Sequence, residues 1–406
     1  MKNVGDIVET TAFARAKAFL KADHHHFVDE IIHLTEIPSP PFGEAERAAE
    51  YARMMQAEGL EDVTTDAEGN VTGLLRGRNN GQMVAVSAHL DTVFPAGTDV
   101  TVRREGTKLF APGIGDDTRG LAVLLAMVRA IKAAGIRPEQ DILFVGDVGE
   151  EGLGDLRGIR YLFTQSAHRD KIGAFFSIDG SDTARLVTAG VGSYRYRVSF
   201  TGPGGHSYGS FGTVNPAWAL GDFLAGMARI EVPADPKTTF SASVFTGGSS
   251  INAIPEAVHV DIDLRSAAPA ELDRLDAEVH ALAKASVAAE NARNDTANGE
   301  ISVTFTRLGN RPAGQPLADC PVTAASLDAI RAFGFEPATE ISSTDANIPI
   351  SLGIPAVAFG NGGTSGRAHS LDEWIDVEEE LSLRGLYAAL AAVLGVAGMA
   401  EDQSAR

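Results

Sequence analysis

Two adjacent glutamates, Glu150 and Glu151, follow an apolar segment, residues 142–145, that is typical of a buried strand. Side chains that are adjacent on extended backbone point in opposite directions, so two carboxylates at a strand end are able to take different roles. One is able to bind a metal ion while the other acts as a base towards a water molecule. Taken alone, such a pair is more often a solvated turn, so its interpretation depends on the rest of the chain.

Further acids and histidines stand at the ends of predicted strands or in glycine-rich turns, where open α/β sheets place their active sites. Imidazole and carboxylate groups are the ligands of hydrolytic metal sites. Each residue alone has a structural alternative, such as a helix N-cap, a turn or a packed side chain. In chain order the residues are His89 and Asp91 after the strand 83–88, Asp116 and Asp117 before an apolar helix, Asp179 at the end of the strand 174–179, and His369.

Asp91 stands two residues after His89 on predicted extended backbone, so both side chains lie on the same side. A carboxylate in that position is able to accept the second ring N–H of the histidine and thereby fix its tautomer. The sequence therefore predicts that Asp91 supports His89 rather than binding a metal itself. A surface histidine beside an incidental aspartate is the alternative.

The elements that must position these residues alternate between strand and helix. Helical spacing over residues 11–60 is followed by alternating strands and helices up to residue 179, and the same pattern resumes after residue 321. This alternation predicts an α/β domain with a mostly parallel sheet flanked by helices. The predicted strands are 83–88, 142–148, 174–179 and 356–359, and the predicted helices are 118–134, 156–166, 322–333, 344–352 and 377–396.

Between these two stretches the order of predicted elements changes to strand, helix, strand, strand, helix, strand, which is typical of a ferredoxin-like unit. The sequence therefore predicts a catalytic domain of residues 1–190 and 308–406, interrupted by an inserted domain of residues 191–307.

Composition excludes several classes of partner and compartment. The net charge of −20, from 34 basic and 54 acidic side chains, argues against nucleic acid or an anionic membrane as a partner. The single cysteine, Cys320, excludes an internal disulfide and fits a reducing compartment. The first residues lack the apolar run of a secretory signal, and the apolar stretch 385–400 is shorter than the ~20 residues of a membrane span. We expect a cytoplasmic protein with a buried C-terminal helix.

Five motifs, in order, resemble those of the di-zinc hydrolase family that includes peptidase T, aminoacylase, glutamate carboxypeptidase and succinyl-diaminopimelate desuccinylase. The resemblance extends over nearly the whole chain. The motifs are Ser87-Ala88-His89-Leu90-Asp91-Thr92-Val93, Gly113-Ile114-Gly115-Asp116-Asp117-Thr118-Arg119-Gly120, Gly149-Glu150-Glu151-Gly152, Ser177-Ile178-Asp179-Gly180 and Ala368-His369-Ser370-Leu371-Asp372-Glu373.

The resemblance implies a centre of two divalent metal ions. His89, Asp116 and Asp179 would hold one ion, and Asp116, Glu151 and His369 would hold the other, so that Asp116 bridges the two. Zn²⁺ is the expected metal, with Mn²⁺ or Co²⁺ as alternatives, because the ligands are imidazoles and carboxylates without a thiolate.

The resemblance also assigns the general base. Glu150 would take a proton from the metal-bound water, and the resulting hydroxide would attack the scissile carbon. The peptide bond between Asp116 and Asp117 would be cis.

Four further residues are candidates for substrate contacts. In the family, a histidine of a glycine-rich loop like that of His206 reaches the neighbouring subunit's active site and helps to stabilise the transition state, which implies a catalytic role for His206 and a homodimer joined through the inserted domains. Asn252 resembles a substrate-contacting asparagine of the family. Arg311 and Arg367 have the guanidinium geometry that clamps a substrate carboxylate, and a surface charge pair is the alternative for each.

We predict hydrolysis of an amide C–N bond in a small carboxylate-bearing substrate. Asp179, where other branches of the family have glutamate, favours a di- or tripeptide aminopeptidase; Thr118-Arg119 departs from the pattern of peptidase T and leaves the substrate open. The alternatives are an N-acyl-amino-acid deacylase, or an aminohydrolase (deaminase) acting on a non-peptide, including an aromatic one. A catalytically silent binding protein is a remote alternative, because all five metal-ligand positions and Glu150 are present.

Overall fold

The computed structural model describes residues 3–401, which form two compact units. The discontinuous unit comprises the chain up to Gly190 and again from Gln315, and the inserted unit runs from Val191 to Gly314. The first boundary lies where the sequence predicts it. The second lies at residue 315 rather than 308, because the last strand of the inserted unit continues to Arg311 instead of ending at residue 307.

The helices and strands of the described residues are numbered in chain order. The helices are α1 (Val4–Val8), α2 (Thr11–Thr35), α3 (Ala45–Ala57), α4 (Arg119–Ala133), α5 (Arg157–Thr164), α6 (Pro216–Met227), α7 (Pro269–Arg293), α8 (Pro321–Ala332), α9 (Asn347–Ser351) and α10 (Glu379–Ala397). The strands are β1 (Glu61–Thr65), β2 (Val71–Leu75), β3 (Asn79–His89), β4 (Arg103–Glu105), β5 (Lys108–Phe110), β6 (Ile136–Pro138), β7 (Gln140–Asp147), β8 (Ile172–Ile178), β9 (Arg185–Gly190), β10 (Gly192–Thr201), β11 (Gly205–His206), β12 (Thr238–Gly247), β13 (Ala253–Ile254), β14 (Ala257–Ser266), β15 (Ser302–Arg311), β16 (Ala338–Ser342), β17 (Ala356–Phe359), β18 (Thr364–Gly366), β19 (Trp374–Asp376) and β20 (Met399–Glu401).

The discontinuous unit is built on an eight-stranded sheet in the order β1-β2-β7-β3-β8-β17-β9-β16. The pairs β7–β3, β3–β8, β8–β17 and β9–β16 are parallel, and the remaining three pairs are antiparallel. The sheet is thus mostly parallel, which confirms the predicted α/β class.

Both faces of this sheet are buried, as its central strands require. Successive side chains of a strand point to opposite faces, and helices cover both sides of a parallel sheet. Val84 and Val86 of β3 therefore pack into one apolar core, while Ala85 between them packs into the other. Each fully buried valine of this kind contributes roughly 1.5–3 kcal/mol of transfer free energy.

Two apolar helices cover one face of the sheet. Helix α4 is buried from Arg119 to Ile131, and α10 begins at the N-cap Glu378, whose carboxylate accepts the N–H groups of Glu380 and Leu381 at 3.1 and 2.9 Å. Among the described residues, α10 is the one helix long and apolar enough to cross a membrane. However, 72% of its most apolar window is buried in the fold, as expected of a core helix.

The inserted unit is a four-stranded antiparallel sheet in the order β12-β14-β10-β15, with α6 and α7 packed on it. Buried and partly buried residues alternate along β14, because one face of the strand meets the helices and the other does not. Apart from the two-residue strands β11 and β13, the order of elements is strand, helix, strand, strand, helix, strand, as predicted.

Several short elements differ from the sequence prediction. The predicted helix 344–352 is reduced to α9, and the edge strand β16 was assigned to no element because its residues are mostly exposed and lack alternation. Strands β18 and β19 have three residues each, which is too short for a periodic pattern.

Candidate metal centre

The parallel strands β7, β3, β8 and β17 are neighbours, so their carboxyl ends lie along one edge of the sheet. His89 is the last residue of β3, and Asp179 directly follows β8. The loop after β7 carries Glu150 and Glu151. The fold thus brings together residues that the sequence separates by tens of positions, at the edge where α/β sheets place their active sites.

Asp116 lies between two imidazoles. Its Oδ1 atom is 2.9 Å from Nε2 of His89, and its Oδ2 atom is 3.0 Å from Nε2 of His369. The peptide bond between Asp116 and Asp117 is cis, as the resemblance predicts. One carboxylate therefore faces both predicted halves of the centre, which is the geometry that a bridging ligand needs.

Glu151 completes the half that contains His369, since its Oε1 atom lies 2.8 Å from Nε2 of that histidine. Ligand atoms of His89, Asp116 and Glu151 lie within 4.8 Å of one another. A second group within the same distance contains His89, Asp179 and, in place of Asp116, its neighbour Asp117.

The carboxylate of Asp117 already has protein donors. It is fully buried and accepts the backbone N–H of His89 at 3.3 Å and the side-chain N–H of Asn361 at 3.1 Å. Asp116 is bonded to imidazoles through both oxygens and remains partly accessible. Of the two neighbours, Asp116 therefore has the geometry of the bridging ligand.

The contact of Asp91 differs from the predicted one. Nδ1 of His89 lies 3.0 Å from the backbone oxygen of Asp91 but 3.7 Å from its carboxylate, so the main chain fixes the tautomer. The carboxylate instead accepts the backbone N–H groups of Glu150 and Glu151, at 3.0 and 2.9 Å. The side chain turns away from the imidazole because these two N–H groups, at the start of the loop after β7, need an acceptor.

The electrostatics reflect carboxylates that are crowded around two imidazoles. Hydrogen bonds to Asp116 and Glu151 raise the pKa of His369 to about 10. Burial lowers the pKa of His89, but the carboxylates of Asp116, Asp117 and Asp91 together outweigh burial and hold that pKa well above its usual value. Burial and the charge of Asp116 raise the pKa of Asp179 to about 6. The cluster therefore carries excess negative charge that protons on the imidazoles offset in part.

The donor set fits divalent metal ions. Among the described residues, the ion pairs of Asp116 and Glu151 are all with His89 and His369, so neither Lys nor Arg neutralises these carboxylates. The Nδ1 atom of His89 faces a carbonyl oxygen, so the neutral ring presents its Nε2 lone pair to the centre. Imidazole and carboxylate ligands without thiolate are suited to Zn²⁺, Mn²⁺ or Co²⁺.

Some contacts around the centre were not predicted from the sequence. Asn361, just after β17, donates to Asp117 at 3.1 Å, and its backbone oxygen accepts from the buried Arg119 at 3.3 Å. Asp147 and Asp345 form a buried acidic pair, and burial raises the pKa of Asp147 to about 7. Their signal in the sequence was weak, because these contacts join segments about 200 or more residues apart.

The inserted unit brings His206 and Asn252 close together. Strand β11 pairs with β13 so that His206 stands opposite Ala253, and the N–H of Ser207 donates to the backbone oxygen of Asn252 at 2.9 Å. Nδ1 of His206 accepts the N–H groups of Tyr208 and Gly209, each at 3.2 Å. The neutral ring therefore carries its proton on Nε2, which leaves a donor for a ligand.

The two candidate arginines have different environments. Arg367 lies in the discontinuous unit, is exposed, and pairs with Asp372 at 3.1 Å, which matches the alternative of a surface charge pair. Arg311 lies in the inserted unit, is 4% exposed, and stands opposite Ser193 in the pairing of β10 with β15. A surface charge pair therefore does not describe Arg311.

A mostly parallel α/β sheet with imidazoles and carboxylates at its carboxyl edge, interrupted by a ferredoxin-like unit, defines the class of metal-dependent hydrolases. The model of peptidase family M20/M25/M40 matches residues 85–394, which is more than half of the chain. The chain belongs to this family, and it is a metallopeptidase or amidohydrolase. The recognition made from the five motifs is thereby confirmed.

Individual relatives are similar over most of their length. The uncharacterized protein YqjE of Bacillus subtilis is 25% identical over 370 residues, which cover 87% of this chain and 94% of that protein. The crystal structure of aminopeptidase PepT from Bacillus cereus has a TM-score of 0.72 at 20% identity, covering 91% of this chain and 98% of that one. A tripeptidase from Staphylococcus aureus has a TM-score of 0.73 at 21% identity, covering 92% and 98%. At these identities, the two solved structures establish the fold alone.

Proposed function

We propose that this protein is a di- or tripeptide aminopeptidase that uses two divalent metal ions, most simply Zn²⁺. The observation that carries the proposal is the Asp116 carboxylate, which faces His89 through one oxygen and His369 through the other. Two similar folds belong to proteins described as an aminopeptidase and a tripeptidase, which supports the choice of a short peptide as substrate.

His89, Asp116 and Asp179 would hold one ion, and Asp116, Glu151 and His369 the other. When bound, such ions lower the pKa of a coordinated water and polarise the scissile carbonyl. The side chain of Glu150 is 6% exposed, and this enclosed carboxylate takes the proton of the attacking water and returns it to the leaving nitrogen.

Residues of the inserted unit act on the substrate. His206 donates its Nε2–H to the oxygen of the scissile carbonyl as negative charge develops there, and Asn252 supplies a second polar contact. Arg311 binds the substrate carboxylate by its guanidinium geometry. We propose that His206 acts on the active site of a second subunit in a homodimer joined through the inserted units, and that the enzyme is cytoplasmic.

The substrate is tested with purified protein from which metal has been removed and to which Zn²⁺, Mn²⁺ or Co²⁺ has been restored. Each form is assayed on di- and tripeptides with free and with acetylated amino ends, on acyl-amino acids and on small amines. The proposal expects hydrolysis of peptides with a free amino end, and a large loss of rate when that end is acetylated. Turnover of acyl-amino acids or amines alone would refute it.

A further inference from the structure

Glu373 is none of the proposed metal ligands, yet its carboxylate is aimed at the loop that carries Asp116. The residue is 1% exposed. Its Oε2 atom accepts the backbone N–H of Gly113 at 3.0 Å, and its Oε1 atom accepts those of Gly115 at 2.8 Å and Asp116 at 2.9 Å. Backbone N–H groups that converge in this way form a binding site for an anion, and here the anion is a side chain of the same protein.

The loop is shaped to admit this carboxylate. Gly113 has a φ of 76°, in the left-handed region that favours glycine. A Cβ atom on Gly115 would lie 3.2 Å from Oε1 of Glu373 and 3.0 Å from Cγ2 of Ile375. A larger residue at position 115 would therefore crowd the carboxylate against its neighbours.

Glu373 also belongs to the segment that carries His369, four residues earlier. Its backbone N–H donates to the oxygen of Ser370 at 3.1 Å, and its backbone oxygen accepts the N–H of Ala111 at 3.1 Å. The residue thus joins the segment of His369 to the loop of Asp116 through both its main chain and its side chain. The two joined segments are about 250 residues apart in the sequence.

We infer that Glu373 is a positioning residue that holds Asp116 and His369 in register for metal binding; the inference rests on the proposed two-metal function. Oδ2 of Asp116 lies 3.0 Å from Nε2 of His369. Metal ligands must keep their relative positions to within a few tenths of an ångström. Loss of the anion from its cradle releases the N–H of Asp116, so the metal position shared with His369 weakens most.

The test is Glu373→Gln, which keeps the shape of the side chain but turns an NH₂ group towards backbone donors. Metal-free protein is titrated with Co²⁺ against a competing chelator, and its absorption spectrum is recorded. Outer contacts of metal ligands typically change affinity by 10–100-fold, so a loss of roughly that size is expected at one of two Co²⁺ positions, with an altered spectrum. The matched control is Glu378→Gln, which removes another carboxylate acceptor of backbone N–H groups, at the start of α10. It should leave Co²⁺ affinity and spectrum unchanged.

Unchanged affinity and spectrum in Glu373→Gln would overturn the inference, even if the thermal midpoint of the metal-free protein fell. If Glu373→Gln does not fold, Gly115→Ala is the second test. It keeps the Glu373 side chain but adds a Cβ atom that crowds its Oε1 atom. Weaker binding at one position supports the inference, and wild-type affinity in a folded Gly115→Ala protein contradicts it. A wild-type protein that binds fewer than two Co²⁺ ions would instead refute the proposed function, so the two failures are distinguishable.

Discussion

The carboxylate of Asp91 accepts the backbone N–H of Glu151 at 2.9 Å, and its other oxygen accepts the N–H of Glu150 at 3.0 Å. One buried side chain thus fixes the two successive peptide groups from which the proposed base and a proposed metal ligand project. Because the backbone oxygen of Asp91 also faces Nδ1 of His89, Asp91 connects the end of β3 with the loop after β7.

The first prediction concerns this contact. In Asp91→Asn the amide places an NH₂ group against one of the two backbone donors, so the loop of Glu150 moves while the main-chain contact that fixes His89 remains. We expect kcat to fall by roughly 10–100-fold, the usual effect of losing a support to the centre. Steady-state kinetics measures kcat, and elemental analysis measures the bound metal. Full loss of metal in this variant would mean that Asp91 is needed for ligation itself.

The second prediction separates the two glutamates. Glu150→Gln should retain both metal ions and lose roughly 10²–10⁴-fold in kcat, because a general base is removed and no ligand is. The control is the same substitution at the next residue, Glu151→Gln, which should lose metal from the position shared with His369. Elemental analysis and kinetics on both proteins check the assignment, which retained activity in Glu150→Gln would contradict.

The third prediction concerns pH. The pKa of His369 is raised to about 10 by Asp116 and Glu151 in the metal-free protein, so its ring is protonated at pH 7 and must lose that proton to bind metal. Its contribution to the stability of the metal-free fold is fully present below its unfolded pKa of about 6.5 and is lost as pH rises through about 10. Metal affinity should therefore rise with pH up to about 10.

Calorimetric titration with Zn²⁺ in buffers of different ionisation enthalpy measures the protons released. His369→Asn should release fewer protons than the wild type at pH 7. Equal proton release in both proteins would show that the His369 proton is not displaced.

The fourth prediction concerns metal removal. Bound ions neutralise carboxylates that repel one another around Asp116, so a chelator should lower the free energy of unfolding of the discontinuous unit. At free metal 100 times the dissociation constant, each site adds about 2.7 kcal/mol. Denaturant unfolding with and without Zn²⁺ measures the difference. Asp116→Asn should show little dependence on Zn²⁺, and a metal effect that persists in it would point to binding elsewhere.

The fifth prediction concerns His206. Neither His206→Ala nor Glu150→Gln protein should be active alone, but mixing them should restore activity if His206 acts on the partner subunit. Each mixed dimer would then contain one complete active site of its two. Activity is measured after subunit exchange has been verified with differently labelled chains. An absence of recovery in verified mixed dimers would place His206 in the active site of its own subunit.

The parts of the fold that the sequence predicted are those with strong periodicity or strong chemistry. Strand β17 was located to the residue because its apolar run is short and bounded. His89 and Asp179 were found because each follows a buried strand. In contrast, β16 is mostly exposed and was not assigned, since an edge strand with polar residues has no alternation to detect.

The supporting contacts of the proposed centre were harder to predict than the candidate ligands. Glu373 stands in a recognised motif, but nothing local indicates that its carboxylate meets the N–H of Asp116, 257 residues away. Asp91 lies beside His89 as predicted, but its carboxylate accepts N–H groups of the loop after β7 instead of the ring N–H of His89. Such choices depend on tertiary packing, which a motif does not encode.

The interruption of the discontinuous unit has a consequence for synthesis. His89, Asp116, Glu151 and Asp179 all leave the ribosome before the inserted unit, whereas His369 emerges only after it. Domains fold largely as they are synthesised. While the inserted unit is being synthesised, the nascent chain therefore already contains the carboxylates of the proposed centre but not yet the imidazole of His369. A product truncated before residue 369 lacks that imidazole, so it cannot assemble the proposed centre.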